Sequence, residues 1–448
     1  MVTALLVQGC VGAVADGTGD VAAGKTAEQA RAPEEERAPT PQRRVQSAVV
    51  PTDSKHEGAR SLRSSVAAAL GHSADGRKAQ ANLAAAATDT KIAYAGYQPT
   101  IRSGVGVGTD DTYDFSVTVS QPLFDWGHTQ QEVGKAKALQ SAASSRLSAT
   151  WEADALNAAK AHIDLKQTEE LVALAEKNVT VHKRFTALAK DRTEGGVGDA
   201  TEIELAGVHE ATAESTLEQV RGALLDARST YISRTGVQPD NLAPVPELAL
   251  SLPQGSDFEA ATDEAPTVKS ARAEGQAARH AVKSERKGLL PTLSAEAFAR
   301  RDENDNETET GIGLRLRGPT LVGLSSFSKV EAARLRAESA TWAAESARRE
   351  VRLQVHELFD REPILRKRIG ILSQQLKKAR ALRDLYEDQF KIGQRKLADL
   401  VNVQADVFRF ERDLVEAHAK IRELQYSAAA SLGTLVETLG LKSGGGME

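Results

Sequence analysis

Two short windows of this chain alternate apolar and polar residues, and two long ones repeat apolar residues at helical spacing. In the first window Ile101, Val105 and Val107 alternate with Arg102, Gly104 and Gly106. After a polar turn at Thr109 to Thr112, Phe115, Val117 and Val119 alternate with Ser116, Thr118 and Ser120 up to Pro122. A period of two marks strands with unlike faces, so residues 99–122 are expected to form a β-hairpin ending at that proline. The second window has the same grammar. Leu290-Pro291-Thr292-Leu293 opens a strand through Phe298, an acidic turn runs from Asp302 to Glu309, and Ile312, Leu314 and Leu316 return against Gly313, Arg315 and Arg317 up to Pro319. A second hairpin is expected over 290–319.

The long windows read as helical hairpins over 127–237 and 326–438. From Gly127 to about Asp191 there is no proline, enough for a rod of roughly 100 Å at ~1.5 Å per residue. In its counterpart Val351, Val355, Leu358, Leu365, Ile369, Leu372, Leu376, Ala379, Tyr386 and Phe390 follow one another at spacings of 3, 4 or 7, a coiled-coil seam. Ile364, Ile371 and Leu385 trace a second seam, suited to a helix with neighbours on both sides. Pro363 lies inside this rod and is expected to kink it or divide it into two helices. Alanine-rich residues 61–98 and residues 267–288 are expected to be helical. Five prolines between Gln238 and Pro266 mark a linker, and 439–448 form a tail.

These windows form a duplication. Pro122 recurs as Pro319 (319 − 122 = 197), Gly196 as Gly393 and Gly236 as Gly433, all at one offset. Gly196 with Glu202-Ile203 matches Gly393 with Asp399-Leu400. A period this long describes two structural halves rather than units of a solenoid.

Composition sharpens this picture. Aromatic residues make up 4% and charged residues 27% of the 448 residues, a profile of long paired helices rather than thick cores. The net charge of −5 carries no nucleic-acid footprint. One cysteine, Cys10, excludes an internal disulfide and a thiolate metal cluster. Met1 to Cys10 ends like a lipoprotein cleavage box with the cysteine placed for lipid attachment, although a basic n-region is missing. Ala13-Val14-Ala15 serves equally as an ordinary cleavage site, and a free cysteine in a flexible leader over 1–60 is the third reading. No run of about 20 apolar residues is present, which speaks against a transmembrane helix but not against a β-barrel.

Enzyme chemistry is not expected. Gly104-Val105-Gly106-Val107-Gly108 precedes no helix and fails the dinucleotide spacing. His209-Glu210 and His356-Glu357 lack the second histidine of a zinc helix, and no serine nucleophile elbow occurs. No cofactor or metal is expected.

Four strands are too few for a membrane barrel, which starts at about eight, and strands in lipid leave no open edge. Hairpins that span a membrane must therefore be shared among several chains. Ile312, Leu314 and Leu316 would then face lipid, with Arg102, Arg315 and Arg317 in the water-filled lumen. Tyr94, Tyr97, Phe124 and Trp126 lie where strands meet helices, the place of an interfacial aromatic belt.

Ser120-Gln121-Pro122-Leu123-Phe124-Asp125-Trp126-Gly127 resembles the strand-to-helix junction of the TolC-type outer-membrane channels of efflux pumps and type I secretion systems. Leu289 to Ser294 is similar to the opening of that family's third strand, and Tyr386 to Ala405 to its second helical tip. The resemblance covers about Ser61 to Leu441. It implies a mainly α fold with a small β part, in which duplicated coiled-coil hairpins form an α-barrel and two β-hairpins give four strands to a shared trimeric barrel in outer-membrane lipid. It further implies a passive homotrimeric exit duct of a Gram-negative outer membrane, engaged by a periplasmic adaptor and an inner-membrane pump. By the resemblance the periplasmic tips carry the gate, at Gly196 and Glu202 in one half and Gly393, Arg395, Asp399 and Asn402 in the other. The family often has acids at the positions of Asp399 and Asn402; here the second is an amide, which weakens any negative ring. A periplasmic adaptor and a soluble coiled-coil scaffold are the alternatives. An adaptor's single hairpin leaves the duplication unexplained, and a scaffold leaves the aromatic positions unexplained.

Overall fold

The duplication is exact in the long helices. The computed structural model describes residues 60–107, 113–196, 198–248, 256–302, 308–318 and 325–441. Helix α3 spans His128–Glu194 and α7 spans Ser325–Lys391, each of 67 residues. Helices α4 (Ala200–Thr235) and α8 (Leu397–Leu432) each have 36. Every one of these boundaries is displaced by the same interval (325 − 128 = 197; 432 − 235 = 197). The turns repeat as well. Gly196 and Gly393 connect the helices of each pair with φ of 73° and 77°, and Gly236 and Gly433 end them with φ of 70° and 76°. That left-handed backbone suits glycine because it carries no Cβ.

Shorter helices flank the rods: α1 (Leu62–His72), α2 (Ala74–Tyr94), α5 (Ser256–Glu264), α6 (Pro266–Lys287) and α9 (Leu435–Thr438). The expected helix over 61–98 is divided at Ser73. Its hydroxyl accepts from the Gly76 amide at 2.8 Å to start α2 and donates to Asp154 at 2.5 Å. Helix α7 runs unbroken through Pro363, so of the two readings there the alternative of two shorter helices is not met. Pro363 is exposed, so water can meet the carbonyl that its missing N–H leaves without a donor.

Strands β1 (Thr100–Val107), β2 (Tyr113–Phe124), β3 (Thr292–Asp302) and β4 (Thr308–Arg317) form one antiparallel sheet in sequence order. Strand β2 continues past Pro122 to Phe124, where its register with β3 shifts. Proline ended the reading because it cannot donate to a ladder, but a bulge accommodates it. The turns at 109–112 and 303–307, Pro319, the leader with Cys10 and residues 442–448 lie outside the described residues.

The core follows the rods. One cluster joins α1, α3, α8 and α9 through Val66, Trp151, Ile163, Tyr426 and Leu435. At the far end of the rods Phe185, Ala206, Phe390, Leu397 and Leu400 bring the two hairpin tips together. Of the first expected seam on α7, Val351, Val355, Leu372, Leu376, Ala379 and Phe390 are buried and Leu358, Leu365, Ile369 and Tyr386 half-buried, whereas the second seam, Ile364, Ile371 and Leu385, is exposed. No helix among the described residues is long and apolar enough to cross a membrane.

Candidate functional site

The alternation of the strands gives the sheet two chemically opposite faces. Ile101, Val105, Phe115, Val117, Ile312, Leu314 and Leu316 are all exposed on one side; Ile312 reaches 88% exposure. Six or more bare apolar side chains on one face cost solubility in water, at about 25 cal/mol per Å² of apolar area, and gain it in lipid. The opposite face is polar and encloses a cavity of about 400 Å³ lined by Arg102, Ser116, Thr118, Ser120, Arg315 and Arg317, among others. Arg315 meets the buried Glu296 carboxylate at 2.7 Å and Arg317 meets it at 3.2 Å. Thus two of the three expected lumen arginines converge on one acid that sequence reasoning did not single out. Among the described residues the sheet has two open edges, β1 and β4, each pairing on one side only.

At the strand-to-helix junction, the sequence Asp125-Trp126-Gly127 turns the chain with two consecutive left-handed residues, Trp126 at φ 60° and Gly127 at φ 78°. The Asp125 carboxylate accepts from the Gly127 amide at 2.8 Å and the Thr129 amide at 2.7 Å, capping α3. Burial opposes its ionisation, but the hydrogen bonds from Thr129 and Gly127 prevail and hold its pKa below the usual carboxylate value. The turn presents the aromatic side chains outward. Phe124 and Trp126 pack edge-on with centroids 4.9 Å apart, and Tyr94 and Tyr97 lie 6.4 Å apart. The Trp126 indole donates to the Pro291 carbonyl at 2.8 Å, so its polar edge is fixed while its face is exposed.

At the other end of the rods, Glu202 and Asp399 occupy the same place in the two halves, the first turn of the returning helix. There a carboxylate is favoured by the free amides of the helix N-terminus. Each also has a cation beside it. Arg192 lies 3.4 Å from Glu202 and stacks on Phe390 at 4.3 Å. Arg395 lies 3.7 Å from Asp399, stacks on Tyr386 at 4.2 Å and donates to Gln389 at 3.1 Å. Asn402 is exposed one turn further along α8.

Sequence reasoning missed the polar contacts that join the two hairpins, because each depends on residues some two hundred positions apart. Glu411 on α8 is buried between Arg380 of its own hairpin and Lys177 of the other. Glu387 pairs with Arg184 across the same boundary. Nearby, His182 on α3 stacks on His209 of α4 with centroids 6.2 Å apart. Burial and then the neighbouring His209 pull its pKa down to about 4, against the pull of Glu210.

Residues 66–236 and 258–434 match the family model described as outer membrane efflux protein. The chain is 25% identical over 373 residues to the outer membrane efflux protein BepC of Brucella suis, covering 78% of this chain and 80% of that protein. Its fold is similar to the outer-membrane channel OprN, with a TM-score of 0.76 at 18% identity over 83% of this chain and 90% of that one. The outer membrane protein VceC of Vibrio cholerae has a TM-score of 0.71 at 17% identity over 86% and 97% of the two chains.

Proposed function

Because the chain belongs to the outer membrane efflux protein family, we propose that three copies assemble into one passive exit duct, the outermost part of a tripartite efflux pump or a type I secretion system. It is a protein of the Gram-negative outer membrane, with a large helical part in the periplasm, and not an enzyme.

The observation that carries the reading is the open-edged sheet with one apolar face, held on paired rods of equal length. A four-stranded sheet in lipid leaves β1 and β4 with unsatisfied backbone groups, each costing several kcal/mol. Pairing β1 of one copy with β4 of the next removes both edges and closes a barrel. The exposed Ile364, Ile371 and Leu385 then find partners on neighbouring copies. Tyr94, Tyr97, Phe124 and Trp126 form the belt at the inner membrane-water boundary. A single-hairpin adaptor or a soluble scaffold finds no support in a chain of this family.

The gate of this duct lies at the hairpin tips. Gly196 and Gly393 make the turns, and Asp399 with Asn402 lines the inner mouth. Arg395, beside Asp399, damps the field of that acid. Opening is a sliding of one hairpin past the other, biased by an adaptor that engages the tips and an inner-membrane pump behind it. The test is conductance of the detergent-purified protein in planar bilayers, together with cross-linking between cysteines placed on β1 and β4. Stable channels and a cross-linked trimer are expected. A monomer that forms no channels would overturn the reading.

A further inference from the structure

We propose, resting on the duct reading, that the helix-proximal part of the barrel lumen is an anion-selecting collar, so that the duct favours solutes carrying phosphate, sulfonate or carboxylate groups. Four guanidiniums, Arg102, Arg300, Arg315 and Arg317, line the cavity with two carboxylates, Glu296 and Glu309; toward the helices Arg102, Arg315 and Arg317 stand with Glu296 alone. A single arginine would balance Glu296, yet two face it at 2.7 and 3.2 Å. Arg102 stands in addition, with no ion-pair partner among the described residues. Its neighbours in register across the sheet are Thr118, then Phe298, then Gly311, none of them charged.

The surplus positive charge is confined to this end. Further along the sheet the register sets Arg300 against Glu309 and Asp114 against Asp302. The collar therefore lies just above the junction with the helices, where every solute leaving the helical tunnel must pass. Guanidinium stays charged at any physiological pH. Between the low-dielectric walls of a barrel such a ring focuses its field and raises the local concentration of anions. The hydroxyls of Ser116, Thr118 and Ser120 complete a wall that can hydrogen-bond an oxyanion without adding charge. The surplus is repeated in each copy, so assembly multiplies it threefold. The tips do not cancel it, since Asp399 is paired with Arg395 and the second family acid is Asn402.

The experiment is reversal-potential measurement in a potassium chloride gradient across single channels in planar bilayers, with tripolyphosphate then added from the sheet side or the helix side. Wild type is expected to pass chloride more readily than potassium, and to be blocked by tripolyphosphate at severalfold lower concentration from the sheet side. Arg102→Gln is expected to lower the anion-to-cation permeability ratio and raise the blocking concentration severalfold. Arg102→Glu is expected to abolish the preference, and Arg102→Lys to preserve it. Channels with one ion preference and one blocking concentration in wild type, Arg102→Gln and Arg102→Glu would overturn the collar while leaving the duct intact. Absence of any channel from wild-type protein would overturn both.

Discussion

The Gln404 side-chain amide on α8 donates to the Asn178 side-chain oxygen on α3 at 2.8 Å, in a buried contact across the two helical hairpins. With Glu411 between Arg380 and Lys177, it adds buried polar contacts to the apolar cluster that joins the hairpin tips. Such contacts are lost steeply when two surfaces slide. Removing one partner of a buried polar pair costs about 1–3 kcal/mol.

Glu411→Ala is therefore expected to loosen α3 from α7 and α8 by about that amount. Amide hydrogen exchange should quicken in the rods near Lys177 and Arg380, with the sheet unaffected. In bilayers the same variant is expected to open more often. Unchanged exchange in the rods would separate Glu411 from the joint.

The Arg395–Asp399 pair at 3.7 Å predicts an asymmetry between two substitutions. Asp399→Ala removes an acid already partly neutralised, so cation flow through the tips should change little. Arg395→Ala bares the acid and also removes the stacking on Tyr386. It should raise potassium conductance and sensitivity to divalent cations by a clearly larger factor. Equal effects from both variants, measured as single-channel current, would contradict this.

Two buried groups give opposing pH dependences. The folded-state pKa of His182, about 4, lies below its ordinary 6.5. Between these values the unfolded chain takes the proton first, so the contribution is present above pH 6.5 and lost as pH falls toward 4. The whole span is worth about 3 kcal/mol. Glu152 runs the other way. Burial raises its pKa from 4.5 to about 7, the Val436 and Leu435 amides partly offset this, and Glu437 adds to it. Between pH 4.5 and 7 the folded state takes the proton first, so its contribution is full below pH 4.5 and lost as pH rises through 7. Denaturant titrations across pH 4–8 should show His182→Gln flattening the acid loss. Glu152→Gln keeps an acceptor for only one of the two amides that start α9. It should remove the fall in stability between pH 4.5 and 7 while costing about one hydrogen bond at every pH.

At the junction, Gly127→Ala forces a side chain into φ 78° and sets its Cβ 2.8 Å from the Lys287 ammonium. The backbone strain is about 1–2 kcal/mol. Asp125→Ala removes the cap of α3 for roughly 1 kcal/mol more. Both should lower the melting temperature and speed hydrogen exchange in the first turn of α3. A tip substitution such as Asp399→Ala should do neither.

The legible parts of this protein are those written in local grammar. Alternation in residues 101–119 and 312–317 marks the strands, and the 197-residue offset of three glycine and proline pairs marks the two halves. The glycines at 196 and 393 announce turns because few other residues adopt that backbone. Pro122 misled because a proline removes a ladder hydrogen bond, but a bulge tolerates the loss. Ser73 divides a helix by capping, a choice that depends on Asp154 some eighty residues away. Glu296, Glu411 and His182 were invisible as site residues, since a carboxylate or imidazole acquires its character from partners that only folding assembles.

The equal lengths of α3 and α7, and of α4 and α8, place a constraint on how this gene can change. One residue inserted in α3 would rotate everything beyond it by about 100° and advance it by about 1.5 Å. Phe185 would leave Phe390, Asn178 would leave Gln404, and the first tip would overhang the second. A matching insertion in α7 would bring the tips level again. Length variation in these rods is therefore expected to be inherited in pairs, one change in each half.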